Sequence, residues 1–394
     1  MSFVAVDLGA SSSRYVSESG QVSVLPNNMV FLQPNEVSLL SPDASDIESC
    51  LETTVIKNEP DASGFFPATV LMGIMAERHP DVNERPSMNS HKHLQRINYI
   101  SAIVAAAVSR LKYNIEDEID LYIAVPPVEV HMAFEEFNRI LPGQYTVNFP
   151  KYMGGAQVHL NIKSVKTYEE SLMASTSFFF NMNGVPKETS KKYMAGTILS
   201  LDIGASTTDL AVIEHGRYLD KSGQTYKKGG NLVRDYLINE VREKFGWDLP
   251  LKNADMTITE GRLQVGNTYE DVSELVSKAK AYLAKQLTEE MQTYFKRINI
   301  PIQTINAVVV SGGGSMQSQY VNGDGEVIKT SEPMSYFVTN ELTNWCPGVE
   351  AVEYGDEARF ANVKGLFIRA KVDSVKKAQA QTAAQAQTAA PQQA

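Results

Sequence analysis

A ten-residue segment occurs twice in this chain, almost half its length apart, and no other feature constrains the fold as much. Val4-Ala5-Val6-Asp7-Leu8-Gly9-Ala10-Ser11-Ser12-Ser13 returns 195 residues later as Leu199-Ser200-Leu201-Asp202-Ile203-Gly204-Ala205-Ser206-Thr207-Thr208. The Asp, the Gly, the Ala and one Ser are identical, and two further positions keep a hydroxyl. Solenoid repeats recur at much shorter periods, so an offset this large signals duplication of a whole domain.

Each copy has the same local grammar. A short apolar strand ends in Asp, a Gly-containing turn with hydroxyl residues follows, and a second apolar run comes next: Tyr15-Val16 in one copy, Leu210-Ala211-Val212-Ile213 in the other. This pattern predicts a β-hairpin whose tip carries a carboxylate and several small donors. Glycine lets a backbone approach a phosphate closely, and turn amides and hydroxyls donate to it.

Apolar spacing predicts helices over about 95–113, 231–245 and 271–296, all read as scaffold. Strands are expected at 119–125, running into Pro126-Pro127-Val128-Glu129, and at 307–310, breaking into Ser311-Gly312-Gly313-Gly314-Ser315. A further helix is expected over about 357–366. Beyond about 371 the chain is mostly Ala and Gln without an apolar stripe, and reads as a flexible tail in which a transient helix can form, since Ala and Gln favour helix.

Composition excludes several classes. The net charge is -10 and the longest runs of Lys and Arg are pairs, so direct nucleic-acid binding, which needs clustered cations, is not expected. Two cysteines, Cys50 and Cys346, form neither a disulfide framework nor a zinc site and fit a reducing compartment. His91 and His93 lack ligand-spaced partners and read as surface residues. No secretory leader is expected, since Phe3-Val4-Ala5-Val6 already reads as a strand, and no apolar run reaches the ~20 residues of a membrane span.

Two Asp-x-Gly hairpins, a strand ending in a polar turn between them and a late Gly-Gly-Gly turn together resemble the actin and sugar-kinase superfamily, with five motifs in that family's order over about residues 1–370. The segment Ala358-Arg359-Phe360-Ala361-Asn362-Val363-Lys364-Gly365 is similar to an Ala-Asn-x-x-Gly signature of ParM-like (StbA/Alp-type) bacterial actins of plasmid or phage origin. The resemblance implies an α/β fold with two duplicated ribonuclease H-like domains around a nucleotide cleft. It divides the chain into domain I at 1–195, with an outer subdomain at about 27–94, and domain II at 196–370. Domain II has an outer subdomain at about 218–300 and a last helix returning to domain I. Residues 371–394 remain as tail.

The same resemblance implies site residues. Asp7 and Asp202 would face a Mg²⁺ ion, mainly through its water shell, as Mg²⁺ keeps its waters tightly. Gly9, Ser11, Ser12, Ser13, Gly204, Ser206, Thr207 and Thr208 would line the phosphates, with Arg14 adding charge. Gly312, Gly313 and Gly314 would lie against the nucleoside, and Gly230 would open a helix bordering the ribose. Glu129 would orient the attacking water. It also reads as an exposed carboxylate after a Pro-Pro turn, and Asp202 is a competing general base.

The implied function is a cytoplasmic ATPase whose head-to-tail filaments move plasmid or phage DNA through a DNA-binding adaptor, with no membrane contact. A glycine turn reads backbone shape, so ATP and GTP both remain open. The alternative is a metabolite (sugar-type) kinase of the same superfamily, although no clear carboxylate base for a sugar hydroxyl stands out. A large heat-shock chaperone would need a substrate domain after residue 370.

Overall fold

The computed structural model describes residues 2–33, 50–87, 90–152, 155–315, 318–322, 326–354 and 357–389. The expected hairpins form: β1 (Ser2–Leu8) pairs antiparallel with β2 (Ser12–Ser17), which pairs with β3 (Val22–Pro26). Next come β4 (Met29–Leu32), β5 (Cys50–Lys57), β6 (Ala68–Gly73), α1 (Ile74–Glu77) and α2 (Arg96–Tyr113). The first half continues through β7 (Glu118–Val125), α3 (Val130–Ile140), β8 (Gly143–Phe149), β9 (Ala156–Glu169), α4 (Glu170–Phe179) and α5 (Glu188–Lys191).

The second half opens with β10 (Thr197–Ile203), β11 (Thr208–Glu214), β12 (Arg217–Tyr218) and β13 (Gln224–Tyr226). It continues with α6 (Gly230–Phe245), α7 (Leu251–Glu260), β14 (Arg262–Val265), β15 (Thr268–Asp271) and α8 (Ser273–Ile298). It closes with β16 (Ile305–Ser311), β17 (Gln319–Val321), β18 (Val327–Thr330), α9 (Met334–Thr343), β19 (Glu350–Glu353) and α10 (Ala361–Ala389).

The duplication inferred from ten residues extends to the sheets. In the first, β3-β2-β1-β7-β9 are neighbours, with β1–β7 and β7–β9 parallel. In the second, β12-β11-β10-β16-β19 repeat that order, with β10–β16 and β16–β19 parallel. The helices follow suit: α2, α3 and α4 hold the connections that α8, α9 and α10 hold in the second half.

Strand alternation then divides the residues between two faces. Val4, Val6 and Leu8 of β1 join the core under α2 and α3, whereas Phe3 and Ala5 face Met173 of α4 and Val363, Leu366 and Phe367 of α10. On β10, Leu199, Leu201 and Ile203 join the core under α8 and α9. Ser200 points the other way and donates to the Ser171 carbonyl of α4 at 3.1 Å. So α4 and α10 lie between the two sheets. Asp7 and Asp202, in phase with Ala5 and Ser200, emerge on that inner layer.

Three differences from the sequence reading follow from packing. The strands of segment 27–94 do not stand apart: β4, β5 and β6 continue the first sheet through β8. Helix α8, assigned whole to the second outer subdomain, is shared: Leu283, Leu287 and Met291 join the core with β10 and β16. Its first turns, with Leu275 and Val276, pack in the outer cluster with Leu237, Leu249, Leu263 and Tyr320.

The third difference concerns the tail, which is helical to Ala389. Residues past 370 are anchored by polar contacts rather than an apolar stripe. Asp373 pairs with Lys166 at 2.8 Å, and Lys377 pairs with Asp120 at 2.5 Å. Residues 390–394 lie outside the described part.

Candidate functional site

A cavity of about 640 Å³ lies between the two halves, and both hairpin tips line it. Of the residues expected there, Asp7, Gly9, Ser11, Arg14, Glu129, Asp202, Gly204, Ser206, Thr207, Gly230, Gly312, Gly313 and Gly314 form its wall. Ser12, Ser13 and Thr208 do not, because β2 and β11 begin at Ser12 and Thr208. Ser13 is fully buried across from Leu8, and the Thr208 hydroxyl donates to the Lys228 carbonyl at 2.7 Å.

The two hairpins differ in one telling respect. In the first, Asp7 sits across the ladder from Arg14, whose guanidinium lies 3.4 Å from its carboxylate. In the second, the position across from Asp202 holds Asp209. A cation in one copy is thus replaced by a buried carboxylate in the other.

Glu170, the first residue of α4, completes a buried group: carboxylate oxygens of Glu170, Asp202 and Asp209 lie within 4.8 Å of one another. Burial, then the Glu170 charge, pushes Asp202 up to about 7, although the Asn362 amide donates to it at 2.7 Å and opposes the shift. Asp209 is raised by burial and by Glu170, against a 2.6 Å hydrogen bond from the Thr225 hydroxyl. Glu170 is raised by burial, with Lys92 opposing.

Lys92 Nζ pairs closely with the Glu170 carboxylate. Burial lowers its pKa, but the charges of Glu170 and Asp7 outweigh that and hold it above the ordinary lysine value. Neither Lys92, Glu170 nor Asp209 was singled out from the sequence. Asp209 alone had a signal there, as the residue that the 195-residue offset sets opposite Arg14.

Glu129 lines the cavity, but its oxygens are taken up by one turn. Oε2 accepts from the Lys92 amide at 2.8 Å, and Nδ1 of His91 and of His93 lie 3.2 and 3.4 Å from the carboxylate. The reading of both histidines as surface residues is corrected for His93, which is 5% exposed. It is buried because its turn packs against Glu129 and the start of α2, where the Tyr99 hydroxyl donates to its carbonyl at 2.6 Å.

The glycine turn after β16 has a steric reason. Gly312 adopts φ 87°, and a Cβ there would run into Asp202 Oδ1 and the Ile203 carbonyl. Only glycine lets this turn lie against the second Asp.

Further along, the wall changes character. Val233 and Ile258 flank Lys280, which is 4% exposed and donates to Ser318 Oγ at 3.1 Å and Ser331 Oγ at 2.9 Å. Burial pushes its pKa down to about 8. The cleft is crowded with carboxylates at the hairpins, while its far end mixes Val233 and Ile258 with Lys280, Arg234 and Asp255. No helix among the described residues is long and apolar enough to cross a membrane.

Comparison with known proteins agrees with this geometry. Residues 200–319 match the family described as archaeal actin homologue MreB-like, C-terminal. Ta0583, an archaeal actin homologue, superposes with a TM-score of 0.69 at 12% identity, over 95% of this chain and 100% of that one. Actin-like protein Alp7A gives 0.68 at 15%, over 97% and 98%. Bacillus thuringiensis ParM with ATP gives 0.62 at 16%, over 95% and 99%. No curated protein sequence matches. The chain has the actin-like fold and resembles the ParM-type and archaeal actin homologues.

Proposed function

We propose that this chain is a nucleotide-dependent ATPase that assembles head to tail into dynamic filaments. The observation that carries this reading is the pair of duplicated hairpins, each ending in a buried Asp, that open onto one cleft with Glu170 between them. Solved neighbours of the same fold include an archaeal actin homologue in complex with ADP and ParM with ATP or AMPPNP.

Residues of both hairpins contact the phosphates in this reading: Gly9, Ser11 and Arg14 from the first, Gly204, Ser206 and Thr207 from the second. Phosphoryl transfer needs positioning and charge compensation more than covalent chemistry. The far end, with Val233, Ile258 and Lys280, takes the base and Gly312–Gly314 the ribose, and ATP and GTP both remain open.

The donor set suits Mg²⁺. Four carboxylates, Asp7, Glu170, Asp202 and Asp209, gather at this end with Arg14 and Lys92 among them, and burial, then the Glu170 charge, raises Asp202. Asp7 and Asp202 would hold the ion, largely through water. A bound divalent cation supplies the missing charge and clamps the phosphates.

Glu170 replaces Glu129 as the carboxylate that orients the attacking water. It is buried beside Asp202, whereas Glu129 faces the 91–93 turn. Because each half contacts the phosphates, nucleotide binding favours a closed cleft, and a closed monomer can repeat one heterologous contact into an open filament. The acidic chain reaches DNA of a plasmid or phage through a DNA-binding adaptor, in the cytoplasm.

Light scattering and pelleting after addition of Mg-ATP or Mg-GTP tests this, with Mg-ADP and Asp202→Ala as controls. Nucleotide-dependent pelleting that decays as phosphate appears is expected, and Asp202→Ala should neither turn over nor disassemble. Turnover without assembly would refute the filament and favour a metabolite kinase.

A further inference from the structure

Glu129 and Lys92 form a chain of contacts that the proposed ATPase reaction leaves unexplained. Lys92 lies in a single 3-10 turn, Lys92–Leu94, just before α2. That turn is held from behind by α2: the Asn98 amide, itself fully buried, donates to the Lys92 carbonyl at 2.9 Å. It is held from the front by Glu129, which accepts from the Lys92 amide and stands beside both histidine rings. Glu129 is fixed in turn, because it ends the 3-10 turn Pro127–Glu129 after β7.

So a turn far from either hairpin in sequence delivers an ammonium group to the carboxylate between them. A lone lysine has four rotatable stem bonds and little intrinsic direction. Here its backbone is clamped on both sides and its side chain is only 19% exposed, so its direction is imposed. With Lys92 against it, the Glu170 carboxylate is aimed as well.

We propose that Lys92 is a positioning residue for nucleotide hydrolysis, holding the Glu170 carboxylate at the phosphate end of the cleft, and that Glu129 serves the reaction by holding Lys92. This rests on the ATPase reading above and extends it to residues outside the two hairpins. Lys92 thereby couples the segment leading out of the outer strands to the carboxylate that orients water.

The test measures kcat and the affinity for a non-hydrolysable nucleotide in Lys92→Met, Lys92→Arg, Glu129→Gln and the Lys92→Met/Glu129→Gln double variant. Misplacing a group by about 1 Å costs on the order of 100-fold. Lys92→Met should therefore lose about that factor in kcat while nucleotide affinity stays within about threefold, and Lys92→Arg should recover most of the loss. Glu129→Gln should slow turnover by about tenfold, and the double variant should be no slower than Lys92→Met, since the two act in series.

Equal turnover in Lys92→Met and wild type overturns the proposal, and so does a double variant in which the two losses multiply. If Lys92→Met does not fold, Lys92→Arg and Glu129→Gln carry the same comparison, and normal turnover in Glu129→Gln refutes the clamp. Wild-type protein that binds no nucleotide refutes the ATPase reading, and this proposal with it.

Discussion

Gly365→Ala is a test of whether α4 and α10 are packed as closely as the site requires. A Cβ at Gly365 would lie 2.5 Å from the carbonyl carbon of Met173 and 2.9 Å from its Cα, with the carbonyl oxygen nearer still. These are backbone atoms of α4 and cannot rotate aside, so the helices must separate. Overpacking of this kind costs about 1–3 kcal/mol. Alanine in place of a mid-helix glycine returns about 1 kcal/mol through helix propensity. The clash is with backbone, so the upper part of the range applies and the net loss is about 2 kcal/mol. For a unit of about 200 residues that lowers Tm by about 4–8 °C, readable by circular dichroism or calorimetry. Turnover should fall too, since α10 carries Asn362 to Asp202 and α4 begins with Glu170. The sign is diagnostic: a Gly365→Ala protein as stable as wild type, or more so, would refute the close crossing.

Two further outcomes follow from the charges. In metal- and nucleotide-free protein Asp202 keeps its proton up to about 7, against 3.8 for the free side chain. The native state therefore binds the extra proton between these values, and stability falls as pH rises through that window. Asp202→Asn should flatten this fall in urea denaturation between about pH 4 and 7 while abolishing turnover; an unchanged slope would contradict the burial of its charge. Asp373→Ala should cost about 1–3 kcal/mol by removing a charged hydrogen-bond acceptor from Lys166 and Tyr168. An unchanged Tm would mean that α10 is not anchored beyond residue 370.

The fold was legible because its largest features repeat. Three helices expected at 95–113, 231–245 and 271–296 lie at 96–113, 230–245 and 273–298, since each buries a continuous apolar stripe. Period alone could not show that α8 runs from an outer cluster into a core. That depends on Leu283, Leu287 and Met291 facing β10 and β16, which are distant in sequence. The end of α10 escaped for a related reason. Apolar periodicity finds helices that pack by burial, and past residue 370 this helix is held by Asp373 and Lys377, single charges whose partners, Lys166 and Asp120, lie in the other half.

The site divides along the same line. Asp7 and Arg14 are seven positions apart across one hairpin, so strand register alone brings them together, and the repeat assigns the same geometry to Asp202 and Asp209. Lys92 and Glu170 are 78 positions apart, and Asn362 and Asp202 are 160 apart. Neither pair lies in a shared motif, and a lysine between two histidines has the same local chemistry on an exposed loop as in a buried clamp. What distinguishes the two is the layer between the sheets. Duplication places α4 and α10 there as counterparts, each following the last strand of its half. Their first turns consequently converge on one point, with Glu170 from one and Asn362 from the other. Two copies of one domain thus supply unlike groups to a shared centre, an acceptor from α4 and a donor from α10. A repeat search looks for likeness and is blind to that divergence.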